Sequence, residues 1–167
     1  MEKFNLKEAS IYGNNRYIFQ SCSKINLYFT SLKALCNCTY SYEDSTPFYY
    51  RTACKIYLNG EILTNIDLSE DITSIGSRTF YYCSHIESIT LNNVTTIGAY
   101  AFCYSSIKSV FTSDKLTTIS DGAFSNCTQL TFFDFKNGLT SINNYAFTGC
   151  SKLNFSSLPN TLLTIGS

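Results

Sequence analysis

Four segments of this chain repeat one another almost letter for letter: Ile75 to Phe80, Ile97 to Phe102, Ile119 to Phe124 and Ile142 to Phe147. A fifth starts at Ile165-Gly166. The Phe anchors at 80, 102, 124 and 147 stand 22, 22 and 23 residues apart. A period of roughly 20–50 residues is the signature of a solenoid, in which each repeat buries its apolar side only against its neighbours. The expected fold is therefore a β-rich repeat solenoid with short helical or 3₁₀ turns.

The repeat frame extends well beyond the Phe segment. One copy runs Leu130-x-x-Phe133-x-Phe135, then Leu139-Thr-Ser-Ile142, then Tyr145-Ala-Phe147 and Cys150. The preceding copies fit it: Leu63-x-x-Ile66-x-Leu68 leads to Ile72-Thr-Ser-Ile75 and Phe80-x-x-Cys83, Ile86-x-x-Ile89-x-Leu91 to Val94-Thr-Thr-Ile97 and Phe102, and Ile107-x-x-Val110 to Leu116-Thr-Thr-Ile119 and Phe124-x-x-Cys127. Leu153 and Leu158 open a fifth copy that reaches Leu162 and Ile165.

Each part of the frame has a physical reason. L-x-x-I-x-L predicts a short strand with β-branched or aromatic residues facing inward, and V-T-T-I a second one. Gly76 and Gly98 follow as expected sites of a tight turn with positive φ. The Ala-Phe step predicts one helical or 3₁₀ turn that drops its ring into the core. Stacked copies would place Phe80, Phe102, Phe124 and Phe147 in one aromatic column, giving a continuous ladder from Leu63 to Leu158.

The pattern resembles the BspA-like, or treponeme-type, leucine-rich repeats, over roughly Leu58 to Ser167. The resemblance implies a leucine-rich-repeat right-handed superhelix, and a surface or secreted protein that binds a protein or a glycan. Leu27 to Asn37, then Thr46-Pro47-Phe48 and Ile56-Tyr-Leu-Asn59-Gly60-Glu61, is similar to an insertion module carried by bacterial members. In that module a short helix and a Pro turn interrupt the ladder. The expected division is thus 1–26 as a degenerate N-terminal repeat (Phe19-x-x-Cys22-x-x-Ile25), 27–61 as the insertion module, and 62–167 as about five repeats with the last truncated.

Composition fits one elongated unit. Net charge is zero, with 12 basic and 12 acidic residues and 44% hydrophobic content. No basic stripe favours nucleic acid. No apolar run of about 18 residues favours membrane insertion. Met-Glu-Lys-Phe-Asn-Leu-Lys-Glu is not a signal peptide as it stands, so the expectation is a piece of a longer exported chain or else an intracellular protein.

The eight cysteines split in two. Cys22, Cys83, Cys127 and Cys150 each follow a repeat Phe by three residues, a slot that Ser105 fills in the remaining copy. Small buried thiols beside aromatic rings fit that slot better than disulfides. Cys36, Cys38, Cys54 and Cys103 make up the other group and fit packing better than zinc, since Cys36-Asn-Cys38 has the wrong spacing and no nearby His. His85 is expected in an exposed repeat turn. No phosphate loop, nucleophile elbow or H-E-x-x-H occurs, so neither a cofactor nor an enzyme is expected.

Function is then sought on the outward residues of the first strands. One column holds Asn65, Ser88, Ser109, Phe132 and Phe155, the other Asp67, Thr90, Phe111, Asp134 and Ser157. The shift from polar to aromatic marks Phe111, Phe132, Asp134 and Phe155 as the candidate contact face. The expected role is a non-catalytic adhesion or protein-binding module of a larger protein; a structural spacer or the non-catalytic arm of an enzyme is the alternative.

Overall fold

The computed structural model describes residues 2–5, 12–13, 25–49, 54–69, 71–155 and 157–167. The repeat reading at Phe19 and Cys22 lies outside them. The chain winds as a β-solenoid with two parallel ladders. The first ladder stacks β7 (Asn65–Asp67), β9 (Ser88–Leu91), β11 (Ser109–Thr112) and β13 (Phe132–Phe133). The second stacks β8 (Ser74–Ile75), β10 (Thr96–Ile97), β12 (Thr118–Ile119), β14 (Ser141–Ile142) and β15 (Thr164–Ile165). Equivalent letters pair in register: Ile66 with Ile89, Ile89 with Val110, Val110 with Phe133. In β9 the alternation is complete, with Ile89 and Leu91 buried and Ser88 and Thr90 partly exposed.

Upstream, β1 (Glu2–Asn5), β3 (Ile25–Phe29) and β5 (Lys55–Leu58) form a third parallel set, and β2 (Tyr12–Gly13) pairs with β4 (Thr39–Tyr40). Helix α1 (Leu32–Cys36) starts at Ser31, whose hydroxyl accepts the Ala34 N–H at 3.2 Å, the usual satisfaction of an orphan donor at a helix start. A 3₁₀ segment follows at Glu43–Ser45. Rather than standing aside from the stack, this module is bonded to it: Gly76 N donates to Cys36 O at 2.9 Å, Tyr40 N to Ser77 O at 3.0 Å, and the buried Thr79 hydroxyl to Cys38 O at 2.6 Å. After β5 the chain reverses at Asn59-Gly60, both at positive φ, into the antiparallel β6 (Glu61–Ile62). Two left-handed residues are what a tight hairpin requires.

The Phe column forms the spine of the core. Phe80, Phe102 and Phe124 are fully buried, and neighbouring rings lie 4.9, 5.0 and 5.4 Å apart along Phe80, Phe102, Phe124 and Phe147, within 13° of parallel. Full burial of such a ring is worth about 1.5–3 kcal/mol, and a stacked pair adds roughly 0.5–1.5 kcal/mol. Phe147 is only half-buried, because its far side meets Phe155 edge-on at 5.8 Å instead of another ring of the column.

The segment around each Phe closes with i→i−3 bonds, as in Cys103 N to Tyr100 O and Ser105 N to Phe102 O. It does not wind into a helix. The residues two before and two after each Phe are left-handed: Arg78 and Tyr82, Tyr100 and Tyr104, Gly122 and Asn126, Tyr145 and Gly149. This alternation turns the N–H groups toward the next coil. Arg78, Phe80 and Tyr82 donate to the carbonyls of Ala99, Ala101 and Cys103 at 2.7–3.0 Å, and the same triplet recurs from Tyr100 and from Gly122. Every such bond pairs a main-chain donor with an acceptor of the next coil, which offsets the cost of a left-handed non-glycine residue.

Two expectations change here. Gly76 and Gly98 are not among the positive-φ residues. They are glycine because a Cβ would strike neighbouring main chain: at Gly98 it would lie 2.7 Å from both Ile75 O and Ser77 N, and at Gly76 it would meet Cys38 O. Among the described residues the first ladder also ends at β13, short of Leu158. By sequence the fifth copy has Ser156 where the others place Ile66, Ile89, Val110 and Phe133, and Pro159 follows, so the β-branched inward residue is missing and a donor is lost nearby. The second ladder does continue to β15. Its Thr residues bind coil to coil, with the hydroxyls of Thr95, Thr117 and Thr140 donating to the carbonyls of Thr73, Thr95 and Thr117 at 3.0–3.2 Å.

Candidate protein-contact face

The outward side chains of β7, β9, β11 and β13 form one surface. At its early end the polar groups hold one another: Ser88 Oγ donates to Asn65 Oδ1 at 2.7 Å, and Asn92 Nδ2 to Asp67 Oδ1 at 2.9 Å. At its late end two rings stand proud. Phe111 is 41% and Phe132 45% exposed, with centroids 5.3 Å apart and planes inclined by 44°. Register makes them diagonal neighbours, since Phe132 lies opposite Ser109, a separation that aromatic side chains span. Asp134 follows Phe132 by two residues, its N–H bonded to Val110 O at 3.0 Å, which sets it beside Phe111. Its carboxylate pairs with Lys136 at 2.9 Å, and Lys108 pairs with Glu87 at 2.8 Å. These exposed pairs stabilise little, but they leave the surface with no excess of either charge near the rings.

Phe155 stands apart from this surface. No strand forms over 153–155, and its ring folds against Phe135 and Phe147 at 5.6 and 5.8 Å, although 49% of the residue remains exposed. The structure thus brings Phe111, Phe132 and Asp134 together and puts Phe155 at the end of the core. It lines there an open apolar depression of about 350 Å³ with Phe147, Leu158 and Ile165.

The thiol slots are hydrogen-bonding positions. Cys127 Sγ donates to Phe102 O at 2.9 Å and Cys150 Sγ to Phe124 O at 3.0 Å, while Ser105 Oγ lies 3.4 Å from Cys127 Sγ. A hydroxyl or a thiol can fill the slot, which explains the exchange between copies. Cys83 and Cys127 are fully buried and Cys150 half-buried, because Cys150 lies in the last Phe-bearing copy. Burial pushes the Cys83 thiol up to about 12 and the Cys127 thiol well above its ordinary value. A side-chain interaction with Cys127 lowers that of Cys150. The thiolate is the reacting form, so folded protein should be alkylated at Cys150 before Cys83 or Cys127. Denatured, unreduced protein should yield all three as free thiols by mass spectrometry. A bridge between any two, formed without added oxidant, would overturn the slot assignment.

Two features escape the sequence patterns. His85 is half-buried rather than exposed. Its Nε2 accepts the Ile56 N–H at 2.9 Å, and Nδ1 lies 3.6 Å from Cys83 Sγ. Burial, and then the cation of Lys55, lowers its pKa to about 4. The second feature is a tyrosine cluster on the turn side. Tyr82 and Tyr104 stack at 4.6 Å, Tyr49 meets Tyr82 edge-on at 5.6 Å, and Glu43 accepts from the hydroxyls of Tyr49 and Tyr81 at 3.2 and 2.6 Å. Its signal was a Tyr two residues after Phe80 and Phe102, where later copies carry Asn126 and Gly149. Among the described residues no group of three or more His, Cys, Asp or Glu is placed to hold a metal ion, and no helix is long and apolar enough to cross a membrane.

The profile described as "BspA type Leucine rich repeat region" matches residues 53–167 in six copies. Among solved structures, the chain is similar to a leucine-rich repeat protein from Eubacterium ventriosum ATCC 27560, with 14% identity and a TM-score of 0.41. The similarity covers 87% of this chain and 57% of that one, so the chain spans little more than half of that protein's length. No curated protein matches it.

Proposed function

Because this chain belongs to the BspA-type leucine-rich repeat family, we propose that it is a non-catalytic recognition module whose outer strand face holds a protein partner through Phe111 and Phe132, with Asp134 beside them. The observation that carries this reading is the exposed ring pair, 5.3 Å apart on an otherwise polar sheet surface. Rings held on a rigid ladder offer apolar contact area at little entropic cost, and aromatic anchors dominate interface energetics. The family supports a module of a larger surface or secreted protein, with adhesion as its task.

The test is capture of a partner by the whole chain, followed by affinity measurement with Phe132→Ser. Affinity should fall about 30-fold, the roughly 2 kcal/mol of a buried aromatic anchor. Folding stability should change by only about 0.5 kcal/mol, as for most surface substitutions. If the substitution leaves affinity untouched, or if the chain captures only glycans and does so without Phe132, this face is not a protein site.

A further inference from the structure

The parallel stacking is interrupted between β5 and β7, which belong to different sheets. From Leu58 to Asn65 the chain is too short to wind a coil; it makes the β6 hairpin arm instead and passes directly into β7. Ile56, fully buried in β5, therefore borders this junction. Its carbonyl accepts the Leu63 N–H at 2.9 Å, and its N–H ends on the imidazole of His85, which stands 29 residues away and just ahead of β9. A side chain here takes the part that a neighbouring coil's carbonyl plays in the Phe turns.

An imidazole nitrogen accepts only while it carries no proton. With Nε2 accepting, the neutral ring bears its hydrogen on Nδ1, facing the Cys83 sulfur at 3.6 Å. The ring also leans on Phe48, 6.1 Å between centroids, so the same side chain touches the helix-bearing module, β5 and the first repeat. We infer that His85 is an acid-sensitive latch between the N-terminal coils and the leucine-rich repeats: neutral, it holds Ile56; protonated, it presents a donor to a donor and releases the joint. The titratable and charged groups facing the ring among the described residues are Lys55 on β5 and the Cys83 thiol on the preceding turn. Lys55 opposes protonation, and burial opposes it more, which places the folded pKa near 4 against an ordinary 6.5. The folded pKa lies below the unfolded one, so the opened state binds more protons between them. The latch's contribution is complete above about pH 6.5 and is lost as pH falls from there toward 4.

Nuclear magnetic resonance on the whole chain tests this. The His85 ring should titrate near 4. The Ile56 amide, corrected for intrinsic exchange chemistry, should exchange at least about tenfold faster relative to Val110 at pH 4.5 than at pH 7. His85→Gln, which keeps an acceptor that does not titrate, should abolish that difference. A ring titrating at 6.5 or above overturns the latch, as does an unchanged pH dependence in His85→Gln. If His85→Gln does not fold, the wild-type midpoint and the Ile56 exchange ratio decide between the two outcomes.

Discussion

Phe124→Ala should lower folding stability by about 3–5 kcal/mol, the cost of truncating a fully buried ring whose site cannot collapse. Phe124 has parallel rings on both sides, Phe102 at 5.0 Å and Phe147 at 5.4 Å, and Phe133 meets it edge-on at 5.3 Å. Neither neighbour can slide into the hole. Phe102 and Phe124 donate their own N–H groups to Ala123 and Ala146 at 2.8 Å, which pins the coils at the same points as the rings. Denaturant unfolding would measure the loss. A drop below about 1 kcal/mol would mean that the column packs loosely and that the ladders alone hold the stack. Phe132→Ser serves as the internal contrast: if it destabilises as much as loss of the Phe124 ring, the outer face is part of the core and the proposed contact site fails.

Gly98→Ala should cost about 3 kcal/mol by overpacking. The added methyl would lie 2.7–2.8 Å from Ile75 O, Ser77 N and Gly76 C, all main-chain atoms of the preceding coil. Relief requires moving one coil away from the next, which strains the Gly98 N to Ile75 O bond of 2.9 Å and the Phe80 N to Ala101 O bond beside it. Gly60→Ala supplies a control of a different kind, since nothing lies within 4 Å of its Cβ and only its φ of +92 opposes the change. Thermal unfolding of the pair would separate the two costs. A Gly98→Ala protein as stable as wild type would show that the coils can separate freely there.

Much of the architecture is legible in the letters, because a period of 22 or 23 residues forces equivalent letters into equivalent places. Ile89, Val110 and Phe133 pair as their spacing implies, and the Phe slots stack. The glycines are legible as necessary but not as to why: a sequence shows that Gly98 has no Cβ, not whether backbone torsion or a neighbouring carbonyl forbids one. The left-handed pairs flanking each Phe are hidden for a related reason. Arg78, Tyr82, Tyr100, Tyr104 and Tyr145 carry no mark of positive φ, and they adopt it through bonds to coils distant in sequence. His85 looks like a turn residue because its partner, Ile56, lies across a junction that follows no period. On the face, alternation alone was enough to point Phe111 and Phe132 outward. The same rule misplaced Phe155, because no strand forms over 153–155 for alternation to act on.

The three main-chain bonds that leave each of the Phe80, Phe102 and Phe124 turns, together with the paired strands, all run from one coil to the next. Tension along the stack would therefore fall along the bonds themselves, not across them, and it would be shared by every bond of a single interface. Such a body yields by shedding coils one after another. Each coil lost would release about 75 Å of chain, at ~3.3–3.6 Å per residue over one repeat, so under tension the solenoid would lengthen in even steps while its remaining coils stayed folded.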